Sequence, residues 1–286
     1  MRLVDTPLPL TKHGAMSDLD RPVALTIAGS DSGGGAGIQA DIKTFQALGV
    51  FGTSAVTAVT AQNTVGVTAV HLVPLDVVRT QITTVVQDLS PSAVKSGMLG
   101  TSELVETVAD AIQEHSLTPY VLDPVMVASS GDRLLDEDAV EAIIRRLLPK
   151  ATLVTPNLEE ARILTSLPIS GEEGQRESAR RLVQMGARAA LVKGGHGSGT
   201  QVVDILWDGS DEYLWRHPRI KTRNTHGTGC TLSAAITAGL SRGNQLVPAV
   251  EDALAFVEQA ILRAPNLGRG HGPLSHFPIP DTEDHP

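Results

Sequence analysis

The sequence predicts an α/β protein with a mainly parallel sheet covered by helices on both faces. Three observations predict it. Short apolar runs closed by glycine or proline alternate with amphipathic stretches of helical spacing. No run of about 18 apolar residues occurs, so no helix is expected to span a membrane. The 286 residues are 41% hydrophobic and 19% charged, too apolar for a disordered chain and enough for one large core.

The folded part is expected to start near Pro22. Residues 1–21 read as a flexible extension without the apolar stretch of a signal peptide. VALTIAG (23–29) is a strand ending in glycine, and SDSGGGAG (30–37) is a turn. IQADIKTFQALG (38–49) sets Ile38, Ile42, Phe45 and Leu48 on one side of a helix that Gly49 stops. TSAVTAVTA (53–61) is a β-branched strand, and VTAVHLV (67–73) is another that runs into a helix over 75–89.

SAVKSG (92–97) repeats the strand–glycine pattern, and Leu104, Val105, Val108, Ala109 and Ile112 mark a helix. YVLD (120–123) is a strand closed by Pro124, 139–147 a helix, and ATLVTPN (151–157) a strand and its exit. Helices follow at 158–166 and 173–185, then a strand in RAALVKGG (188–195). QVVDILW (201–207) and EYLWRH (212–217) alternate around a DG turn and form a hairpin. Helices near 227–241 and 247–263 complete one domain over 22–277, followed by a tail at 278–286 that is expected to be mobile.

Ligands in such folds sit beyond the carboxyl ends of strands. The unusual segments fall there: after 23–28, and at 62–64, 97–99, 123–131, 155–159 and 193–197. The net charge of −9 and 3% aromatic content argue against nucleic acid. The single cysteine excludes an intramolecular disulfide, and the cytoplasm is the default compartment.

Two glycine-rich constellations stand out. SDSGGGAG precedes a helix whose free N–H groups suit an anion or polar ligand. Its GAGIQA window fits a relaxed dinucleotide pattern, but no Asp or Glu lies between Asp41 and Asp76 to read a ribose. NTHGTGCTLSAA (224–235) places Gly227, Thr228 and Gly229 at the start of a helix, with hydroxyls on Thr225, Thr228 and Thr231. It is the best phosphate cradle in the chain. Cys230 falls in that helix's first turn, where the dipole is expected to favour thiolate.

VLDPVM (121–126) puts Asp123 at a strand end. In TPNLEEA (155–161), Asn157 caps a helix and Glu160 makes the reciprocal capping-box bond, which leaves Glu159 to face a site. Carboxylates beside a phosphate loop suit Mg²⁺. Lys193, at the end of an apolar strand, suits a phosphate contact. No GxxxxGK[ST] or HExxH occurs, and GLSRG (239–243) lies at a helix end rather than in a strand–helix elbow. His271 and His276 in GHGPLSHF read as part of an ordering segment rather than a metal pair.

Together, GSDSGGGAGIQADIKT, TAVTAQNT, KSGMLG, VLDPVMVASSGDRLL, LVTPNLEEA, LVKGGHG, RNTHGTGCTLSAAI and GHGPLSHF resemble the hydroxymethylpyrimidine/phosphomethylpyrimidine kinases of thiamine biosynthesis, in family order from about residue 23 to 277. The resemblance implies a ribokinase-like three-layer fold and two ATP- and Mg²⁺-dependent transfers, first to 4-amino-5-hydroxymethyl-2-methylpyrimidine and then to its monophosphate. It places Gly29, Asp41, Gln62 and Met98 at the pyrimidine. It places Asp123 and Glu159 at the metal, and Lys193, Asn157 and Thr225 on the nucleotide side. Gly227, Thr228 and Gly229 form the anion hole, and Cys230 stands where the superfamily has its catalytic aspartate. A homodimer is implied. Ser129-Ser130-Gly131 replaces a Lys-Ser-Gly of some relatives, and loops at 128–131 and 195–200 are expected to act as lids. The competing readings are a pyridoxal or pyridoxamine kinase, and a non-catalytic pyrimidine-binding protein of the same fold.

Overall fold

The computed structural model describes residues 2–3, 21–126, 135, 137–195 and 199–277. Its strands are β1 (Arg2–Leu3), β2 (Val23–Asp31), β3 (Phe51–Gln62), β4 (Val67–Leu72), β5 (Ala93–Ser96), β6 (Tyr120–Leu122), β7 (Leu153–Val154), β8 (Ala190–Val192), β9 (Gln201–Trp207) and β10 (Glu212–Pro218). Its helices are α1 (Gly37–Ala47), α2 (Leu75–Leu89), α3 (Ser102–Glu114), α4 (Glu137–Ala142), α5 (Leu158–Thr165), α6 (Gly171–Gln184), α7 (Thr228–Ser241) and α8 (Leu246–Leu262).

All the strands join one sheet in the order β1-β10-β9-β8-β7-β6-β5-β2-β3-β4. The run from β8 to β3 is parallel, and β4 and β9 flank it antiparallel. Alternation along the strands separates two layers. Leu25, Ile27, Val94, Tyr120, Leu122, Val154 and Val192 pack with α2 to α6. Val121, Leu153, Leu191 and Leu206 pack with α7 and α8, while Ala24 meets α1 and α7.

Helix α7 is buried continuously from Thr231 to Ser241. Its small residues permit this: a Cβ on Gly239 would lie 2.9 Å from the Cβ of Ala249 on α8. The helix that carries the phosphate cradle is therefore held on all sides.

Two elements differ from their sequence reading. The helix expected over 139–147 is α4 followed by a π turn (Ile143–Leu147) and a 3-10 turn (Leu148–Lys150), because Pro149 has no N–H to continue the ladder. The strand read in 151–157 shortens to β7, because Pro156 cannot donate and Asn157 turns into a helix cap. The extension at 1–21 lies outside the described residues except for Arg2 and Leu3, whose backbone pairs with Tyr213 and Leu214, and Arg21. Ser129-Ser130-Gly131, residues 196–198 and the tail at 278–286 also lie outside them. Among the described residues, no helix is long and apolar enough to cross a membrane.

Candidate active site

Because β8 through β3 run parallel, their carboxyl ends share one edge of the sheet. The segments after β2, β3, β5, β6, β7 and β8 meet there, along with the N-terminus of α7.

The two glycine loops dock directly on one another. Asp31, at the end of β2, accepts from Gly33 N at 2.8 Å, Gly35 N at 3.0 Å and Ala36 N at 2.9 Å. Its Oδ2 also lies 2.8 Å from His226 Nε2. Burial works to raise the Asp31 pKa, but the His226 contact and the loop N–H groups outweigh it and hold the carboxyl below its usual value. A Cβ on Gly35 would lie 2.5 Å from His226 Cδ2. Gly227 has φ +81°, and a Cβ there would lie 1.9 Å from Gly35 O. Part of the glycine content thus serves loop-to-loop contact rather than a ligand. Gly227→Ala combines this clash with a left-handed backbone and is expected to destabilise the protein by about 1–3 kcal/mol. Thermal unfolding by circular dichroism measures this.

The C-terminal segment straps the loops together. His271 N donates to Thr64 O at 2.8 Å and His226 N to Gly272 O at 3.1 Å. His276 Nε2 lies 2.9 Å from Thr231 Oγ1. This is the ordering role read from the sequence, and it removes the Thr231 hydroxyl from the cradle.

On the phosphate side, Asp123 follows β6 and is almost fully buried. Lys193 Nζ donates to Asp123 Oδ1 at 3.2 Å, and Ser233 Oγ donates to Oδ2 at 3.1 Å. Lys193 is held by its own N–H to Pro156 O at 2.9 Å. The next N–H, of Gly194, is held by Asp204 Oδ1 at 2.9 Å. A Cβ on Gly229 would lie 3.3 Å from Lys193 Nζ, so the lysine reaches the first turn of α7. Burial opposes the charge on Lys193, but Asp123 and Glu160 more than offset it and keep the ammonium.

The structure corrects the expectation for Glu159. Glu159 is exposed and accepts from Arg162 Nε at 2.9 Å. Glu160 makes the capping box with Asn157 and is also the carboxylate turned to Asp123 and Lys193. Burial raises its pKa to about 7, with Lys193 opposing and Asp123 adding. The folded protein thus holds this proton more tightly than the unfolded chain does. Its stabilising effect is full below about 4.5 and is lost as pH rises through about 7. The melting temperature of the ligand-free protein is expected to fall across that window. Glu160→Gln, which keeps the cap, should remove that part of the slope.

On the other side of the cradle, Met98 lies against Gly29: a Cβ there would be 2.6 Å from Met98 Cε. Thr57 Oγ1 fixes Met98 through its carbonyl oxygen at 2.9 Å. Gln62 ends β3, half-buried, with Oε1 accepting from Thr60 Oγ1 at 3.1 Å. Asp41 does not join this surface. It is 0% exposed, with Oδ1 on Lys95 Nζ and Oδ2 on Thr26 Oγ1, both at 2.6 Å. The expected contact of Asp41 with a ring amino group is therefore replaced by a buried ion pair.

Cys230 lies in the first turn of α7, as expected, but it is not poised as a thiolate. Burial pushes the thiol up to about 12, and Lys95 acts in the opposite direction. The low pKa expected from the helix N-terminus does not withstand this desolvation.

The family model described as phosphomethylpyrimidine kinase matches residues 31–275. The chain belongs to the phosphomethylpyrimidine kinase family. It is 48% identical to the hydroxymethylpyrimidine/phosphomethylpyrimidine kinase of Bacillus subtilis (strain 168), over 89% of this chain and 94% of that one. It is 52% identical to the enzyme of that description from Rhizobium meliloti (strain 1021), over 89% and 97%. Among solved structures, the pyridoxal kinase of Staphylococcus aureus in complex with pyridoxal superposes with a TM-score of 0.83 at 36% identity, covering 90% of this chain and 94% of that one. The phosphomethylpyrimidine kinase of Clostridium difficile 630 superposes with a TM-score of 0.76 at 38% identity, covering 84% and 100%. This kinase is thus a phosphotransferase with the ribokinase-like three-layer fold.

Sequence reasoning missed His226, Lys95 and the site-facing role of Glu160. Lys95 left a signal, since lysine is almost never fully buried unless paired and this one sits in a short apolar strand.

Proposed function

We propose that this kinase transfers phosphate from ATP to the hydroxymethyl group of 4-amino-5-hydroxymethyl-2-methylpyrimidine, and then to the resulting monophosphate, for thiamine biosynthesis. One observation carries the reading. Asp123 and Lys193 meet at the N-terminus of α7, with Glu160 acting on both, in a chain about half identical to enzymes described by these activities.

The ring rests on the Gly29–Met98 surface, and the Gln62 amide reads its edge. The hydroxymethyl oxygen attacks the γ-phosphorus, the bond to the β-bridging oxygen breaks, and Cys230, a thiol at rest that first loses its own proton to water, receives the hydroxyl proton as thiolate. The N–H groups of the N-cap Gly227 and of Gly229 face the moving phosphoryl, while Thr228 turns its N–H to Thr225 O at 3.3 Å and its hydroxyl to the same oxygen at 2.8 Å. Lys193 adds a full positive charge. Asn157, bridged to Lys193, and Thr225, exposed before the cradle, lie on the nucleotide side. Asp123 and Glu160 are the carboxylates that would hold Mg²⁺, and this sparse oxygen set fits an ion that keeps waters and phosphate oxygens. When bound, the ion neutralises charge along the phosphate chain. Glu160→Gln is expected to weaken the Mg²⁺ dependence of turnover strongly, and Glu159→Gln to leave it unchanged. Titrating the rate with Mg²⁺ separates the two.

The exposed apolar residues Phe51, Val59, Val70, Leu72, Leu75 and Val77 lie on β3, β4 and α2 and support a homodimer through that sheet edge. Light scattering gives the mass directly. A cytoplasmic setting accords with the lone free thiol. The deciding experiment is a coupled phosphotransfer assay on the hydroxymethylpyrimidine, its monophosphate and pyridoxal, each with and without Mg²⁺. Tight binding of the aminopyrimidine without ATP consumption would sink the proposal. Preferential turnover of pyridoxal would favour the second reading, which rests on the similarity to pyridoxal kinase structures.

A further inference from the structure

Lys95 is one of six lysines and sits in β5 among the buried residues Ala93, Val94 and Ser96. Its side chain is 0% exposed. Nζ lies 2.6 Å from Asp41 Oδ1 and 3.5 Å from the carbonyl oxygen of Cys230. With Thr26 on the other oxygen of Asp41, one buried network joins β2, α1, β5 and the first turn of α7. Its side chains are closed to ligand, so it lies beneath the binding surface.

Such a pair is a poor source of stability. Two buried ions lose hydration that their attraction only partly repays, and apolar residues of similar volume often serve as well. Its position supplies another reason to keep it. The charged groups facing Cys230 are Lys95 from β5, Asp41 from α1, Asp123 from the β6 exit and Lys193 from the β8 exit. Of these, Lys95 favours the thiolate most.

We propose that Lys95 is a positioning residue for Cys230: it anchors the first turn of α7 through the Cys230 carbonyl and supplies the buried positive charge that stabilises the thiolate, with Asp41 fixing the ammonium in place. Its consequence for turnover rests on the reading of Cys230 as proton acceptor.

Cys230 is the only cysteine, so its alkylation by iodoacetamide can be followed by mass at one fixed pH without substrate. Lys95→Met alone leaves Asp41 buried and unpaired and is expected to destabilise the protein. The decisive variant is Lys95→Met with Asp41→Asn, which removes both charges and keeps an acceptor for Thr26. It should fold, alkylate about tenfold or more slowly, and lose about tenfold or more in kcat for the first transfer, while KM for the pyrimidine changes little. Asp41→Asn alone retains the cation and should alkylate at least as fast as wild type. Wild-type alkylation in the double variant, or slowed alkylation in Asp41→Asn, would overturn the proposal and leave the pair a structural feature. The two readings separate cleanly. If Cys230→Ala retains the first transfer, the proton-acceptor reading fails, while the alkylation rates still report on Lys95.

Discussion

Lys193→Met is expected to lower kcat for both transfers by about 10²–10³-fold, the scale for losing one preorganised charge at a developing anion. The lysine is the cation between Asp123 and Glu160 and reaches the first turn of α7. Without it, two buried carboxylates face each other, and Glu160, already raised to about 7, holds its proton more tightly still. The site then loses a positive charge and, at neutral pH, one of the two carboxylates proposed to hold Mg²⁺. Steady-state kinetics on both substrates, with a melting curve for folding, check this. A rise in KM with kcat intact would show that Lys193 holds ground state and transition state alike and has no particular grip on the moving phosphoryl.

Cys230→Ala is expected to lower the first transfer by about 10²-fold or more, the scale of general-base catalysis, and the second transfer far less. The asymmetry follows from the nucleophiles. A hydroxymethyl group must lose a proton, whereas a phosphate monoester is already ionised near neutral pH. Burial pushes the Cys230 thiol up to about 12, so the resting enzyme holds a thiol. The first transfer should therefore speed up as pH rises toward that value, and the second should not follow. Equal losses in both assays, or parallel pH profiles, would remove Cys230 from proton transfer.

The legible parts of this protein are those written in local pattern. Strand and helix order, the DG hairpin and the capping box of Asn157 and Glu160 all follow from neighbouring residues, and the structure has each of them. The glycine loops are also visible, because positions such as Gly227 require a backbone that other residues rarely adopt. Their mutual docking is not visible, since Gly35 and Gly227 are far apart in sequence and meet only when α7 packs beside α1.

The choice between Glu159 and Glu160 shows where local pattern ends. Adjacent helix positions point about 100° apart, and only the docking of α5 against the sheet selects the one that meets Lys193. Asp41 shows the same limit from the other side. Its helix spacing is plain, but it is Lys95 on a strand 54 residues away that takes its carboxylate out of reach of a ligand. Cys230 adds an electrostatic case: the helix N-terminus is readable in sequence, while the desolvation that overrides it on this partly exposed residue comes from groups that only folding brings to the thiol. The architecture, the edge of the sheet that carries the site and the chemistry of its loops are all written along the chain, because they rest on periodicity and backbone freedom. Which charged groups face one another, and with what proton affinity, is settled only when the layers pack. Coulomb energy and hydration depend on distance and burial, and a string of residues carries neither.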